Sequence, residues 1–180
     1  MNEPTPNLLA GGPLEVVAAR TLFRTGAILH RGVGSLARLD SGRLLLAFRL
    51  GRGPQRQNDG VIMLAHSDDD GATWAEPFPI YAYPGWDCLP MGGLVRFSDD
   101  YLQLILGRVK VDDALGGDEP FSDWYIAAIT SRDGGGTWSE PGPLIDLFPG
   151  WTEMYGASNP HRLADGRYLF ATMGTTRRDT

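Results

Sequence analysis

Short apolar runs, each broken after a few residues by a polar turn, recur along the chain. Three stretches share one pattern: SLARLDSGRLLLAF from Ser35, GLVRFSDDYLQLIL from Gly93 and PHRLADGRYLFATM from Pro160. Each reads as an apolar run, a tight Asp/Ser/Gly turn and a second apolar run, which is the signature of a β-hairpin. Arg38, Arg96 and Arg162 hold the same place in the three copies, 58 and 66 residues apart. Further strands are predicted over 61–65 and 124–129, and again over 78–81 and 144–147. One repeat is therefore four strands, here A to D in chain order.

An eight-residue box joins strands C and D. It reads Ser67-Asp68-Asp69-Asp70-Gly71-Ala72-Thr73-Trp74 in the first repeat and Ser131-Arg132-Asp133-Gly134-Gly135-Gly136-Thr137-Trp138 in the second. Both fit S-x-D-x-G-x-T-W, and both are followed by Glu-Pro. The residue types predict a locked turn rather than a binding loop. Ser67 and Ser131 open it, Asp69 and Asp133 accept from Thr73, Thr137 and backbone N–H groups, and Gly71 and Gly135 supply positive φ. Trp74 and Trp138 pack between strands or blades. A four-stranded antiparallel unit recurring at a near-constant period predicts an all-β propeller. The expected organisation is an N-terminal segment over 1–30, blade 1 over 31–82, blade 2 over 83–148 and the start of a third blade over 149–180. That makes about two and a half blades, so the expectation is a part of a larger propeller, or a chain that pairs its open edges with another copy.

Strands alternate direction, so the short A–B turns and the boxes share one end of each blade. The long connections over 49–60, 82–91, 107–123 and 148–158 open at the other end, where sites on rigid scaffolds usually sit. Those connections carry Arg49, Arg52, Asn58 and Asp59, then Trp86 and Asp87, then Trp151, Glu153 and Tyr155. Pro-Gly-Trp recurs at 84–86 and 149–151, each copy followed closely by a carboxylate. An aromatic wall with an acid beside it suits a sugar ring, and these residues, with Arg31, are the candidate ligand-binding set.

Composition narrows the classes. With 42% apolar residues the chain can fill a core, and its 24 Gly and 13 Pro fit many turns. The net charge of −6 argues against nucleic-acid binding through an overall field. The single Cys excludes an intrachain disulfide, the three His lack metal-ligand spacing, and no cofactor motif is present. No apolar run reaches the roughly 20 residues of a membrane helix. The first residues do not read as a signal peptide, so the expected location is cytoplasmic. Eight arginines and one acid lie between Arg20 and Arg56, a local excess that suits an acidic ligand.

The two boxes resemble the Asp-box, or bacterial neuraminidase repeat, of the sialidase superfamily, and the likeness covers about residues 31–173. The resemblance implies a six-bladed sialidase-like propeller and an exo-α-sialidase-like glycoside hydrolase with a retaining mechanism, acting on terminal sialic acid or a related acidic sugar. It implies a carboxylate-binding role for Arg31, in His30-Arg31-Gly32-Val33-Gly34-Ser35-Leu36, a motif that lacks the family's proline and has one extra residue. It implies an acid/base role for Asp59, in the loop after Leu45-Leu46-Ala47-Phe48. The family's tyrosine nucleophile, its glutamate partner and two further arginines belong to later blades, and Glu153 and Tyr155 are not equated with that pair. The alternative reading is a non-catalytic propeller of the same kind that binds glycans or protein partners.

Overall fold

The computed structural model describes residues 21–23, 34–51, 57–115, 121–143, 151–156 and 160–176. It is all-β. The first sheet pairs β1 (Ser35–Arg38), β2 (Leu44–Leu50), β3 (Val61–Ser67) and β4 (Phe78–Tyr81) in that order, every pair antiparallel. The second pairs β5 (Asp87–Arg96), β6 (Leu102–Val111), β7 (Phe121–Ser131) and β8 (Gly142–Pro143) in the same way. Two short ladders follow: β9 (Trp151–Gly156) with β12 (Thr172–Thr176), and β10 (His161–Arg162) with β11 (Tyr168–Leu169). These are two four-stranded blades and the A and B strands of a third, with open sheets, in a sialidase-like propeller fold.

Several strands are longer than the sequence pattern predicts. β5 begins at Asp87, inside the expected 82–91 connection, and takes in Pro90 and Gly92 through a register shift between Pro90 and Gly93. Pro and Gly read as breakers in the sequence, but a bulge accommodates both without ending the ladder. β6 runs on to Val111 and β7 starts at Phe121, so the expected 107–123 loop shrinks to 112–120. The fourth strand of blade 2 pairs at Gly142 and Pro143, and the expected 144–147 segment lies outside the described residues.

The core is the seam between the first two blades. Alternation along β2 and β3 turns Leu45, Ala47, Ile62 and Leu64 to one face, against Leu94, Leu102, Leu104, Leu106, Ala127 and Ile129 of blade 2. All ten are buried. Each fully buried leucine or isoleucine contributes on the order of 1.5–3 kcal/mol of transfer free energy. Polar contacts register the seam at the turn end. Leu94 N–H donates to Ser35 Oγ (2.6 Å), and the Asp99 carboxylate accepts from the backbone N–H groups of Asp40 (2.7 Å) and Ser41 (3.0 Å). Arg96 bridges Asp40 and Asp99, while Tyr168 Oη donates to the Arg96 carbonyl (2.7 Å) and ties the third blade to the second.

The two boxes fold almost identically. Ser67 Oγ donates to Asp69 (2.8 Å) and accepts from Gly71 N–H (2.8 Å). Asp69 accepts from the backbone N–H (2.7 Å) and hydroxyl (2.6 Å) of Thr73. Ser131, Asp133, Gly135 and Thr137 repeat every bond within 0.2 Å. Gly71 and Gly135 have φ of +81° and +97°, a region that a side chain would strain. Gly135 also sits against Leu64, Leu45 and Leu102, so the second turn plugs the seam. The tryptophans differ. Trp138 Nε1 donates to the Gly135 carbonyl (3.0 Å) and its ring packs on the core, whereas Trp74 meets Phe23 edge-on (6.4 Å) on the other face of blade 1.

The Thr73 hydroxyl and backbone hydrogen bonds hold Asp69 down at about 2, and the Thr137 backbone and hydroxyl bonds hold Asp133 at about 2. Both lie below the unfolded value of roughly 3.9. The sign follows: the stabilisation is complete above about pH 4 and is lost as pH falls toward 2. Denaturant midpoints measured between pH 6 and pH 2 should therefore drop most steeply below pH 4. Asp133→Ala should lower the midpoint at pH 6 and flatten that drop, and an unchanged pH profile in the variant would show that the turn does not couple to folding.

Candidate functional site

The loop end of the blades gathers the C-terminus of β2, the start of β3, the start of β5 and the end of β6. At its centre Arg49, the penultimate residue of β2, meets Asp87, the first residue of β5, with Nε 2.6 Å from Oδ1. The two side chains are 1% and 0% exposed. Asp59 approaches the same guanidinium at 3.9 Å and is 24% exposed. The chain leaves room for this pair by using glycine on both sides. A Cβ on Gly51 would stand 2.5–2.8 Å from the guanidinium, and one on Gly60 would run into the Asp87 carboxylate.

Asp59 is held by its neighbours. The Asn58 amide donates to the Val111 carbonyl (2.9 Å) and its oxygen accepts from Val111 N–H (2.8 Å), a two-bond clasp that mimics strand pairing. The next residue but one, Gly60, accepts from Cys88 N–H (3.1 Å). The loop of blade 1 is thus fastened to blade 2 on both sides of Asp59. Cys88 beneath it is buried, and that burial pushes its thiol up to about 11.

Pro84-Gly85 forms a turn closed by Trp86 N–H donating to the Tyr83 carbonyl (3.1 Å). Trp86 packs edge-on to Tyr83 at 6.4 Å. The structure corrects the expected pairing of this indole with Asp87: that acid turns inward, because Arg49 takes it out of water. The charges beside Trp86 are cations. The Arg108 guanidinium carbon lies 5.6 Å from its ring centre and Lys110 Nζ lies 6.0 Å away. Arg108 also lies over Tyr83 at 4.2 Å and Tyr125 at 3.9 Å, and Lys110 donates to the Gly85 carbonyl (2.6 Å).

The structure brings Asn58 and Asp59 together with Arg49 and Asp87, and groups Trp86 with Tyr83, Arg108 and Lys110. It places Arg49 and Asp87 in strands rather than loops. Trp151, Glu153 and Tyr155 also fall in a strand, β9, paired with Thr176, Thr175 and Met173, and not in an open 148–158 loop. Arg31 and Arg52 lie outside the described residues. Tyr83, Arg108, Lys110 and Tyr125 were missed. Their signal was the strict alternation of Arg108 and Lys110 with Val109 and Val111, which continues β6 beyond the glycine at 107.

Two other features are separate from this cluster. Among the described residues no group of three or more His, Cys, Asp or Glu is arranged to hold a metal ion. A cavity of about 450 Å³ lies on the far face of blade 1, lined by Phe23, Phe48, Leu50, Met63, Trp74 and Pro77 among others, and holds no acid pair.

No family model matches the chain, and no curated protein is similar to it. Solved structures are. A protein of unknown function from Dyadobacter fermentans superposes with TM-score 0.64 at 21% identity, over 82% of this chain and 47% of that one. A Hadza microbial sialidase superposes with TM-score 0.65 at 19% identity, over 80% and 32%. A polysaccharide lyase, an ulvan lyase of family PL25, gives TM-score 0.52 at 15% identity, over 78% and 36%. The chain spans less than half the length of each of these structures, and at these identities the likeness is one of fold.

Removing one partner of a buried ion pair strands the other charge, at a cost of roughly 3–5 kcal/mol. Asp87→Asn should lower stability by an amount of that order in urea unfolding. The double replacement Arg49→Met with Asp87→Leu should recover much of it. A double variant that loses as much as the separate Arg49 and Asp87 variants added together would mean that the pair is not coupled.

Proposed function

We propose that this chain forms part of an exo-α-sialidase-like glycoside hydrolase, with Asp59 as its acid/base and a terminal sialic acid or related acidic sugar as its substrate. The observation that carries the reading is the mounting of Asp59: a partly exposed carboxylate at the loop end, clasped between two blades by Asn58 and Gly60. In that role Asp59 gives its proton to the departing glycosidic oxygen as the C–O bond breaks. It then takes a proton from the water that attacks the sugar. Trp86 and Tyr83 offer the ring surface for a pyranose. The nucleophile and the rest of the carboxylate clamp are assigned to further blades, so turnover belongs to the complete propeller. The sialidase among the structural neighbours supports the hydrolase, and the lyase shows that the fold also carries other carbohydrate chemistry.

A second reading, a propeller that binds glycans without cleaving them, is favoured by one observation. The charge of Arg49 is spent on Asp87, which leaves it no acid of a substrate to clamp.

The test uses the polypeptide from the whole reading frame and a panel of α-sialosides and uronosides. Asp59→Ala should cut kcat by about 10²–10⁴-fold, the range for a lost general acid/base, with binding retained. Wild-type protein that binds the panel without turning any member over would instead establish the binding module.

A further inference from the structure

The arginine expected to meet an acidic ligand, Arg49, is fully buried against Asp87. Two other cations stand at the same end of the fold with no carboxylate within ion-pair distance among the described residues. Arg108 and Lys110 are two apart on β6 and so project from the same face of the strand. Both are only partly buried. Three aromatic rings hold the Arg108 guanidinium, at 3.9, 4.2 and 5.6 Å. Aromatic contact engages the flat faces of a guanidinium and leaves its in-plane N–H groups available to an anion.

Two buried polar atoms in this cluster, Arg108 Nε and Tyr81 Oη, have no hydrogen-bond partner among the described residues. Burying polar groups without partners is costly, and native proteins rarely do so without a use for them. Cys88, Arg108 and Tyr125 face one another across the three strands, with Tyr81 from the end of β4 nearby, so these atoms belong to one site on the seam. The exposed edge of that site is Tyr83, which is 47% exposed, with Trp86 beside it.

We propose that Arg108 and Lys110, walled by Tyr83, Trp86 and Tyr125, are the anion-recognising subsite for an acidic sugar, with Arg108 taking the anionic group in its guanidinium plane and Trp86 or Tyr83 carrying the ring. This rests on the acidic-sugar reading above and names the residues that recognise the acid. Arg49, in this assignment, is a positioning residue that acts through Asp87 and the Asp59 loop. A carboxylate and a sulfate ester share the required chemistry.

The test is calorimetric binding to the full chain carrying Asp59→Asn, so that turnover does not interfere. The probes are 3′-sialyllactose, a glucuronate-terminated disaccharide, a sulfated lactose and plain lactose. The acidic probes should bind more tightly than lactose, and their affinity should fall with added salt. Arg108→Gln should weaken them at least tenfold and Lys110→Gln severalfold, with lactose unchanged. Tight binding of the two carboxylate sugars without the sulfated one identifies a carboxylate site, and binding of all three a general anion site. Arg108→Lys keeps the charge without the planar fork and should recover only part of the affinity. Lys110→Gln, which removes only an exposed contact to the Gly85 carbonyl, guards against a folding defect in the Arg108 variants. The proposal is overturned if the Arg108→Gln/Lys110→Gln protein binds every acidic probe within twofold of its parent, or if no acidic probe binds better than lactose. Acid-selective binding lost in these variants, beside a whole protein that turns nothing over, sinks the hydrolase and leaves the subsite standing.

Discussion

Arg49 and Asp87 meet out of water at the point where the first blade ends its second strand and the second blade begins its first. An apolar seam alone tolerates small offsets, since leucine packs against leucine at several registers. A buried ion pair does not, because each charge repays its desolvation only when its partner is at hydrogen-bonding distance. The pair therefore fixes one arrangement of the two blades. It also dictates local sequence: glycine at 51 and 60, where any side chain would occupy the space of the guanidinium or the carboxylate. Once Gly60 is placed, its carbonyl receives Cys88 N–H and Asn58 reaches Val111, so the position of Asp59 follows from the same contact.

At the opposite end the boxes achieve fixation by other means. Their carboxylates stay in water and accept hydrogen bonds from their own turn, so no desolvation has to be offset. Ser67 and Asp69 in one copy, and Ser131 and Asp133 in the other, bind almost nothing outside the box. The boxes are thus self-contained, and at their end of the fold the blades meet through the A–B turns, by Asp40, Ser41, Arg96 and Asp99. At the other end the longer connections of both blades converge, which is the physical reason the candidate chemistry collects there.

Much of the fold was legible because it repeats. Three hairpin patterns and two boxes defined the meander, and the box residues announced their own hydrogen bonds. The misread parts share one cause: residues judged by local habit had their state decided by long-range pairing. Asp87, Pro90 and Gly92 look like a loop, yet they lie in β5 because β6 supplies a ladder and a bulge takes up the mismatch. Trp151, Glu153 and Tyr155 look like a mirror of that loop and are likewise in a strand. Asp59 and Asn58 were recoverable from loop position. Arg108 was not, since nothing in a single strand tells which aromatic rings two other segments will bring around it.

The same lesson applies to charge. Counted along the sequence, positive charge is concentrated between Arg20 and Arg56, and that tract looked like the place to receive an acid. In space its described members are matched one by one: Arg38 to Asp70, Arg43 to Asp68 and Arg49 to Asp87. An arginine facing a carboxylate contributes little net field beyond the pair. Among the described residues, the cations that remain available at the loop end, Arg108 and Lys110, come from the part of the chain with a net negative count. What a ligand meets is the charge left after pairing, and pairing is set by the blade geometry rather than by the order of residues. An excess of arginine in a repeat protein is therefore a guide to its turns and seams first, and to its ligand only where the fold leaves a guanidinium held by rings instead of acids.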